Sequence, residues 1–509
     1  MRARSVLFNL PLVVSATPIN APFTHNSRST HVSSIQWRSC TIPIATSVPV
    51  ECGSLNVPLD YTEKNSSETL RLDLVRIPAV QAEKKGSILF NFGGPGADGV
   101  VDLGYYSEPL LASTGGYYDL INVVPRGTGY TLPFSCYDDA ATRSAFIQPI
   151  NGDSSDTALG NVWARSTIYD QNCAAHQNKT GSLIGTAFVV RDLFQVVDAL
   201  NEDGLLRYWG VSYGTILGAT AVAMFPDRVD KVIIDGVVNP HEYYNNKEVE
   251  LFTNSDDNHT AAELEASLRT LLSNLKYHPI PFVTPLIPGG GFVLDYSTVV
   301  SYIHRQLYFP FVWPSLATLL HDLATGDLAS LASLILSTTN SESTTSSNTT
   351  SDWNPPSFDE ALYGIKCSDI LVDSTYEETA AVQTARYSKG LFGGVAAEMP
   401  ARCAQWPMRA KERYSGDFKV KPRNPVLIIG NTYDPVTPSS LRATVVLQQD
   451  SYGHDSLTQA SLCTAKTVRS YFINGTLPAA GTVCPIDIPV FSGSDGWADV
   501  IKQLAEESS

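Results

Sequence analysis

The sequence predicts an α/β protein in which a mainly parallel β-sheet, covered by helices on both faces, is interrupted by a helical insertion. Short apolar segments alternate with amphipathic helical patterns through the first half of the chain. Several of these segments are continuously apolar, as strands are when both faces of a sheet are buried. The alternation stops near residue 240 and resumes near residue 425.

Strands and helices are predicted in turn along the first half of the chain. Residues 70–77 alternate apolar and polar side chains, which predicts a half-buried strand. Residues 187–200 carry apolar side chains at helical spacing, and residues 215–224 also read as a helix, ended by Pro226. Buried strands are predicted at 86–91, 120–124, 205–209, 231–236 and 425–430.

The insertion has a different pattern. Helical patterns dominate it, for example over 261–275 and 316–336, and no comparable buried strand is expected there. Residues 337–351 are almost entirely Ser, Thr and Asn, which predicts a flexible surface loop. We therefore divide the chain into a signal peptide at 1–20, a first core part at 21–240, a helical cap at 241–410 and a C-terminal core part at 411–509.

Composition limits the class of protein. The 509 residues are 43% apolar, enough for a large core, and carry a net charge of -16. Nucleic acid is not an expected partner, because phosphate binding needs a basic face. Residues 1–20 combine a basic start, a short apolar run and small residues, as a secretory signal does. The apolar run is too short to span a bilayer, and no membrane partner is expected.

Cysteines and glycosylation signals favour a secreted or vesicular protein. The eight cysteines fall in four neighbouring pairs along the chain, and an even count fits an oxidising compartment. None of them has the C-x-x-C spacing typical of zinc sites, and neither a metal nor an organic cofactor is implied. Asn-x-Ser/Thr acceptor sequences occur at Asn65, Asn178, Asn258, Asn348 and Asn474.

The most informative motif is Gly210-Val211-Ser212-Tyr213-Gly214, between a predicted strand and a predicted helix. This is the context of a nucleophile elbow, in which a strained turn lifts a serine hydroxyl clear of the sheet. The alternative is an ordinary Gly/Ser turn, since the pattern alone occurs often by chance. The role of Ser212 therefore depends on partners elsewhere in the chain.

An acid and a base follow in the order that such an elbow requires. Asp434 comes just after the strand at 425–430, and His454 is the histidine that lies beyond this strand. An imidazole must accept the serine proton, and a carboxylate must orient that imidazole. Taken singly, Asp434 could form a turn before Pro435 and His454 could be a surface residue. The correct order of all three predicts a Ser212-Asp434-His454 triad.

A serine nucleophile also needs backbone N–H groups that stabilise an oxyanion. Tyr213, directly after the nucleophile, is one expected donor. The glycine-rich loop at 91–96 supplies the other, from Gly93 or Gly94. This loop matches neither the dinucleotide-binding G-x-G-x-x-G nor a phosphate-binding Walker A sequence.

These segments, as an ordered set, resemble the secreted tripeptidyl aminopeptidase and prolyl aminopeptidase-like α/β-hydrolases that have a TAP-like C-terminal domain. The resemblance covers about residues 37–486 and rests on the segments 52–61, 91–96, 125–129, 210–215, 235–237, 403–407, 434–438, 453–454 and 475–478. It implies an α/β-hydrolase core with a cap, and it assigns the nucleophile, acid and base to Ser212, Asp434 and His454. Val124 and Phe92 depart from the family's usual Asp and Pro, which leaves room for an altered acyl pocket.

The resemblance also implies disulfide bonds. Cys463–Cys484 and Cys367–Cys403 are the better supported pairs, and Cys136–Cys173 and Cys40–Cys52 are the others, although a sequence does not fix connectivity.

Three functions fit these observations. The first is a serine peptidase that removes short N-terminal units from peptides through an acyl-enzyme on Ser212. It needs a cap carboxylate for the substrate ammonium, and the candidates by location are Asp256, Asp257, Glu263, Glu265, Asp359 and Glu360. The second is an esterase, amidase or acyltransferase for a small metabolite. The third, a non-catalytic binding protein, predicts a broken triad, whereas all three members are present.

Overall fold

The computed structural model describes residues 35–41, 43–139, 142–143, 149–249, 262–283, 291–326, 357–437 and 446–507. The predicted signal peptide at 1–20 and the Ser/Thr-rich segment at 337–351 lie outside these residues. So do Asn258 and Asn348 among the glycosylation candidates.

A ten-stranded sheet forms the centre of the molecule. The strands of the protein are β1 (Arg38–Ser39), β2 (Glu51–Pro58), β3 (Thr69–Ile77), β4 (Gly86–Asn91), β5 (Tyr118–Val123), β6 (Leu206–Val211), β7 (Val229–Asp235), β8 (Ile280–Val283), β9 (Gly291–Leu294), β10 (Leu427–Tyr433), β11 (Val446–Tyr452) and β12 (Val483–Pro485). Their order in the central sheet is β1-β2-β3-β5-β4-β6-β7-β10-β11-β12. The edge formed by β1, β2, β3 and β5 is antiparallel, and from β5 to β12 every neighbouring pair is parallel.

Helices connect these strands and build the cap. They are α1 (Val100–Tyr105), α2 (Ser107–Thr114), α3 (Ala158–His176), α4 (Thr186–Ala199), α5 (Tyr213–Met224), α6 (Pro240–Asn245), α7 (Ala262–Tyr277), α8 (Tyr296–Gln306), α9 (Trp313–Thr325), α10 (Phe358–Asp369), α11 (Tyr376–Tyr387), α12 (Glu398–Gln405), α13 (Leu462–Asn474) and α14 (Trp497–Glu506).

The sheet is buried on both faces, as the apolar strand sequences predict. Phe90 and Trp209 belong to a core cluster that also contains buried residues of α1, α2, α13 and α14. Their chain neighbours Leu89 and Tyr208 belong to a second cluster, with residues of α4 and α5. Successive side chains of a strand point to opposite faces, so each central strand contributes to both cores.

The cap is mainly helical and includes α7 to α12. It also contains β8 and β9, four residues each, which pair in a separate antiparallel sheet. These strands are short and largely exposed or half-buried, so they give no continuously apolar signal in the sequence. Helix α6 crosses the boundary predicted at residue 240, and the first core strand after the cap begins at Leu427.

Four disulfide bonds join the cysteines in the pairs that the resemblance implies: Cys40–Cys52, Cys136–Cys173, Cys367–Cys403 and Cys463–Cys484. No free cysteine remains among the described residues. Such a set is typical of proteins that fold in an oxidising compartment. Within the described ranges, no helix is both long and apolar enough to cross a bilayer.

Candidate active site

Ser212 lies in the tight turn between β6 and α5. Its backbone has φ 57° and ψ -123°, a conformation that is strained for a residue with a side chain. A Cβ atom on Gly210 would lie 2.2 Å from the Gly214 carbonyl oxygen, and one on Gly214 would lie 2.3 Å from the Asn91 carbonyl oxygen. The flanking positions therefore require glycine, and the turn holds Ser212 partly exposed at the carboxyl end of the strand.

Asp434 and His454 are in direct contact at the ends of β10 and β11. The His454 Nδ1 atom is 3.1 Å from both carboxylate oxygens of Asp434. Oδ1 of Asp434 also accepts the backbone N–H groups of Val436 and Thr437 at 2.8 Å, and the Thr437 hydroxyl donates to Oδ2 at 2.6 Å. Hydrogen bonds within its own loop thus fix the carboxylate, and the fixed carboxylate orients the imidazole.

The two groups shift each other's protonation. Burial alone would raise the pKa of Asp434, but the His454 charge and hydrogen bonds from His454 and Thr437 outweigh it and lower that pKa. Burial alone would lower the pKa of His454, but the charge of Asp434 and its hydrogen bond raise it above the ordinary value of 6.5. Asp434 is therefore ionised at neutral pH and stabilises an imidazolium.

The order of the strands brings Ser212, Asp434 and His454 to the carboxyl end of the sheet. Strands β6, β7, β10 and β11 are neighbours and parallel, so the loops after them meet at the carboxyl end of the sheet. The buried Nε2 atom of His454 has no hydrogen-bond partner within the described part of the chain. With Nδ1 held by Asp434, Nε2 is the nitrogen that can accept a proton.

The loop after β4 packs against the nucleophile turn. A Cβ atom on Gly93 would lie 2.8 Å from the Ser212 Cβ and 3.1 Å from the Tyr213 nitrogen, so this position also requires glycine. The Gly93 N–H donates to the Asn91 side chain at 3.1 Å. Of the three predicted oxyanion donors, Gly93 is therefore engaged within its own loop, whereas Tyr213 opens α5 beside the serine and Gly94 follows in the loop.

The first turn of cap helix α10 covers this loop. A Cβ atom on Gly96 would lie 2.5 Å from the Phe358 carbonyl oxygen, and one on Gly94 would lie 3.1 Å from the Phe358 ring. The next residue, Asp359, is half-buried, and burial raises its pKa while Arg305 and Arg402 lower it. Asp359 thus directly follows the cap residue that contacts the glycine loop.

The other cap carboxylates that the sequence suggests for binding the substrate ammonium differ in their surroundings. Glu360 is fully buried, accepts the Cys136 N–H at 2.8 Å and pairs with Arg143 at 2.6 Å, so it is engaged within the protein. Glu265 is exposed on α7 and pairs with Arg269 at 2.7 Å. Asp256 and Asp257 lie outside the described residues, as does the side chain of Glu263.

Sequence reasoning missed a second cap carboxylate, Glu398 at the start of α12. Its Oε1 atom accepts the Tyr363 hydroxyl at 3.1 Å, and its buried Oε2 atom has no hydrogen-bond partner among the described residues. Burial raises its pKa, Arg402 opposes that rise, and Asp359 adds to it, so the two carboxylates are electrostatic neighbours. No motif in the sequence marks Glu398.

Sequence reasoning also missed the contact between the cap and the catalytic histidine. The His454 backbone N–H donates to the Tyr308 carbonyl at 2.9 Å, and the two rings lie 5.1 Å apart in a T-shaped arrangement. Tyr308 follows α8, and a Cβ atom on Gly453 would lie 2.7 Å from the same carbonyl. Position 453 therefore requires glycine because the cap backbone packs against it, and the sequence alone does not reveal this contact.

The two departures from the family pattern, Phe92 and Val124, contact residues of the protein interior. Phe92 stacks on Phe90 and Tyr106 at ring distances of 6.0 and 6.4 Å, next to the core cluster of the sheet. Val124 is buried at the end of β5, where its N–H donates to the Asp73 carbonyl at 3.0 Å. Both side chains pack into the core.

Three glycosylation candidates are described, and all are exposed: Asn65, Asn178 and Asn474. Among the described residues, no group of three or more His, Cys, Asp or Glu side chains could hold a metal ion.

Comparisons with known proteins agree with this architecture. Residues 388–484 match the family model of TAP-like proteins. The tripeptidyl aminopeptidase of Streptomyces lividans is 24% identical, over 88% of this chain and 86% of its own. Serine protease Hip1 of Mycobacterium tuberculosis is 27% identical, over 85% of this chain and 87% of its own. Carboxylesterase B of Mycobacterium tuberculosis is 27% identical, over 88% and 89%. Together with the sheet, these matches identify an α/β-hydrolase fold and confirm the resemblance to TAP-like hydrolases.

Proposed function

We propose that this TAP-like α/β-hydrolase is a secreted serine peptidase that releases short units from the N-terminus of peptides, through an acyl-enzyme on Ser212. The observation that carries the proposal is the Asp434–His454 pair, which lies at the same carboxyl end of the sheet as the strained turn of Ser212. The tripeptidyl aminopeptidase and the serine protease among its relatives support a peptide substrate.

The chemistry follows from the hydrogen bonds. Asp434 accepts the Nδ1–H of His454, which leaves Nε2 to take the proton from the Ser212 hydroxyl as its oxygen attacks the peptide carbonyl. The N–H groups of Tyr213 and Gly94 stabilise the resulting oxyanion. The imidazolium then protonates the leaving amine, and the acyl-enzyme forms. Water, deprotonated by the same imidazole, releases the acyl group and restores the serine.

The cap accounts for N-terminal selectivity in this proposal. Asp359 directly follows Phe358, which contacts the glycine loop, and Glu398 has a buried carboxylate oxygen without a hydrogen-bond partner among the described residues. A free α-ammonium group placed beside these carboxylates gains charge-assisted hydrogen bonds. An N-acetylated peptide has no such charge and loses them.

The test compares free and N-acetylated peptides that carry the same fluorogenic leaving group. We expect the native protein to cleave the free peptide preferentially. Asp359→Asn should lower kcat/KM for the free peptide by about 10- to 100-fold and leave the acetylated one unchanged, because only the charged interaction is lost. Glu265→Gln, an exposed cap substitution, is the matched control and should change neither. Equal turnover of both peptides by the native protein would exclude the aminopeptidase activity.

A second function, hydrolysis or transfer of acyl esters of small metabolites, uses the same triad. The relative named carboxylesterase favours it. Activity on acyl esters and none on peptides, both lost in Ser212→Ala, would select this alternative.

A further inference from the structure

Asp235 ends strand β7, which lies between the strand of the nucleophile and the strand of the acid. Its carbonyl oxygen accepts the backbone N–H of Ser212 at 3.0 Å. Because Ser212 has a strained backbone, this hydrogen bond helps to hold the turn in the conformation that exposes the hydroxyl. The main chain of Asp235 therefore contacts the nucleophile directly.

The side chain of Asp235 holds a different catalytic loop. Its Oδ1 atom accepts the Ser456 backbone N–H at 3.1 Å, and its Oδ2 atom accepts the Ser456 hydroxyl at 2.5 Å. Ser456 is two residues after His454, in the loop that carries the imidazole. A single fully buried residue thus binds the serine turn through its backbone and the histidine loop through its carboxylate.

The residue after Asp235 reinforces this arrangement. Gly236 has φ +65°, and a Cβ atom on it would lie 3.4 Å from the His454 Cε1 and 3.3 Å from the Thr437 hydroxyl. Thr437 is the residue whose hydroxyl donates to the catalytic Asp434. The end of β7 therefore packs against the base and against the group that fixes the acid.

A neutral side chain would suit a purely structural role better than a carboxylate does. No lysine or arginine forms a salt bridge with Asp235 within the described ranges, and its charged neighbours are His454 and the carboxyl of Asp455. Burial raises the pKa of Asp235 to about 6, although the Ser456 hydrogen bonds and His454 oppose that rise, and burial together with Asp235 raises the pKa of Asp455 well above its ordinary value. An ionised oxygen pair is what accepts both Ser456 donors at once.

We propose that Asp235 is a positioning residue for the hydrolytic reaction: its carboxylate holds the His454 loop at the distance from Ser212 that proton transfer needs. The proposal rests on the function proposed above. Proton transfer and attack depend steeply on the distance between the reacting atoms, and a displacement of about 1 Å lowers rates by roughly 100-fold. Asp235 itself contacts no reacting atom and acts through the two loops.

The principal test is Asp235→Asn, whose amide can accept only one of the two Ser456 donors. We expect kcat to fall about 10- to 100-fold with KM within about twofold, because the substrate site is intact and the reacting atoms are displaced. The rate at which a fluorophosphonate probe labels Ser212 should fall in the same proportion. Ser456→Ala removes only the hydroxyl donor and should give a smaller fall, with no further loss when the two changes are combined.

A control separates positioning from folding. Asp119 is also buried and accepts a backbone N–H, that of Ala79 at 2.8 Å, but it lies near the start of β5, at the opposite end of the parallel strands. Asp119→Asn should lower the melting temperature and leave the kcat of the folded protein unchanged. If Asp235→Asn does not fold, Ser456→Ala alone carries the test.

Two results would overturn the proposal. One is an unchanged labelling rate and kcat in folded Asp235→Asn and Ser456→Ala. The other is a rise in KM with unchanged kcat, which would place Asp235 in substrate binding. Failure of the proposed function itself is distinguishable, because the native protein would then resist the probe, or Ser212→Ala would keep its activity.

Discussion

The core and the cap hold their charged groups in different ways. In the core, Asp434 is fixed by three backbone N–H groups, a threonine hydroxyl and an imidazole, all from loops at strand ends. In the cap, Lys366 is 1% exposed, pairs with Glu248 at 2.5 Å and lies 3.5 Å from the centre of the Tyr243 ring. The core carboxylate is thus held by the loops that follow neighbouring strands. The cap lysine is held by contacts between a helix and the segments packed beside it.

The cap also places an arginine between aromatic rings. The Arg402 guanidinium lies 3.9 Å from the Tyr169 ring centre and 4.1 Å from that of Tyr363. Its helix is joined to α10 by the disulfide between Cys367 and Cys403. Because such interactions depend on how helices pack, cap substitutions can change substrate selection while the core chemistry persists.

The two regions meet at Tyr308, whose carbonyl accepts the N–H of the catalytic histidine. The comparison therefore teaches a division of roles between two regions that share several contacts, including those of Glu360 with Cys136 and Arg143. Substitutions of the core residues that hold the catalytic groups should lower kcat for every substrate, and cap substitutions should act on stability and on discrimination among substrates.

The largest effect is expected from Asp434→Asn in the core. We expect kcat to fall by roughly 10⁴-fold for peptides and esters alike, because the carboxylate that orients His454 and stabilises its charge is lost. Steady-state kinetics with both substrate classes measures this. A fall confined to one class would break the division between core chemistry and cap selectivity.

The pH dependence should follow from the same pair. His454 must be neutral to accept the serine proton, and its pKa is raised above 6.5 by Asp434. kcat/KM should therefore rise with pH to a midpoint above 6.5, and fall about tenfold per unit below it. Profiles from about pH 5 to about pH 9 test this. In Asp434→Asn the midpoint of the pH profile should move to lower pH. An unchanged midpoint would show that a group other than His454 controls the rise of kcat/KM with pH.

Disulfides allow a direct comparison of the two regions in stability. Cys367 and Cys403 are 36 residues apart in the cap, and Cys40 and Cys52 are 12 apart at the sheet edge. Replacement of each pair by serine should lower the free energy of unfolding by about 2–4 kcal/mol, and by about 1 kcal/mol more for the cap pair, since its loop is longer. Urea denaturation measures both. A larger loss at the sheet edge would contradict the loop-length argument.

The smallest effect is expected at the exposed surface of the cap. Glu265 and Arg269 are one turn apart on α7, and their side chains are 49% and 48% exposed. Glu265→Ala should lower the free energy of unfolding by no more than about 0.5 kcal/mol, because solvent screens such a pair. Thermal unfolding provides the measurement. A loss of several kcal/mol would show that this face of α7 is covered.

The candidate triad was accessible from the sequence because its members follow buried strands. The apolar segments at 205–209 and 425–430 anticipate β6 and β10, and Ser212 and Asp434 follow them directly. His454 was identified only by its position beyond the strand at 425–430, and the structure adds β11 directly ahead of it. This strand was missed because Gln448, Gln449, Asp450 and Ser451 interrupt the apolar pattern, while Gln449 and Ser451 are buried through hydrogen bonds.

The sequence by itself determined the α/β class, the interrupted core, the predicted triad and the neighbouring cysteine pairs, since each rests on local apolar patterns, short motifs or spacing. Only the tertiary structure decided that Asp359 and Glu398 share the cap region, that Glu360 is engaged by Arg143, and that Asp235 joins two catalytic loops. The physical reason is that burial and hydrogen bonding of a carboxylate depend on residues distant in the sequence, 221 positions away for Asp235 and Ser456. Strand order and helix packing bring those residues together, and no local pattern records them.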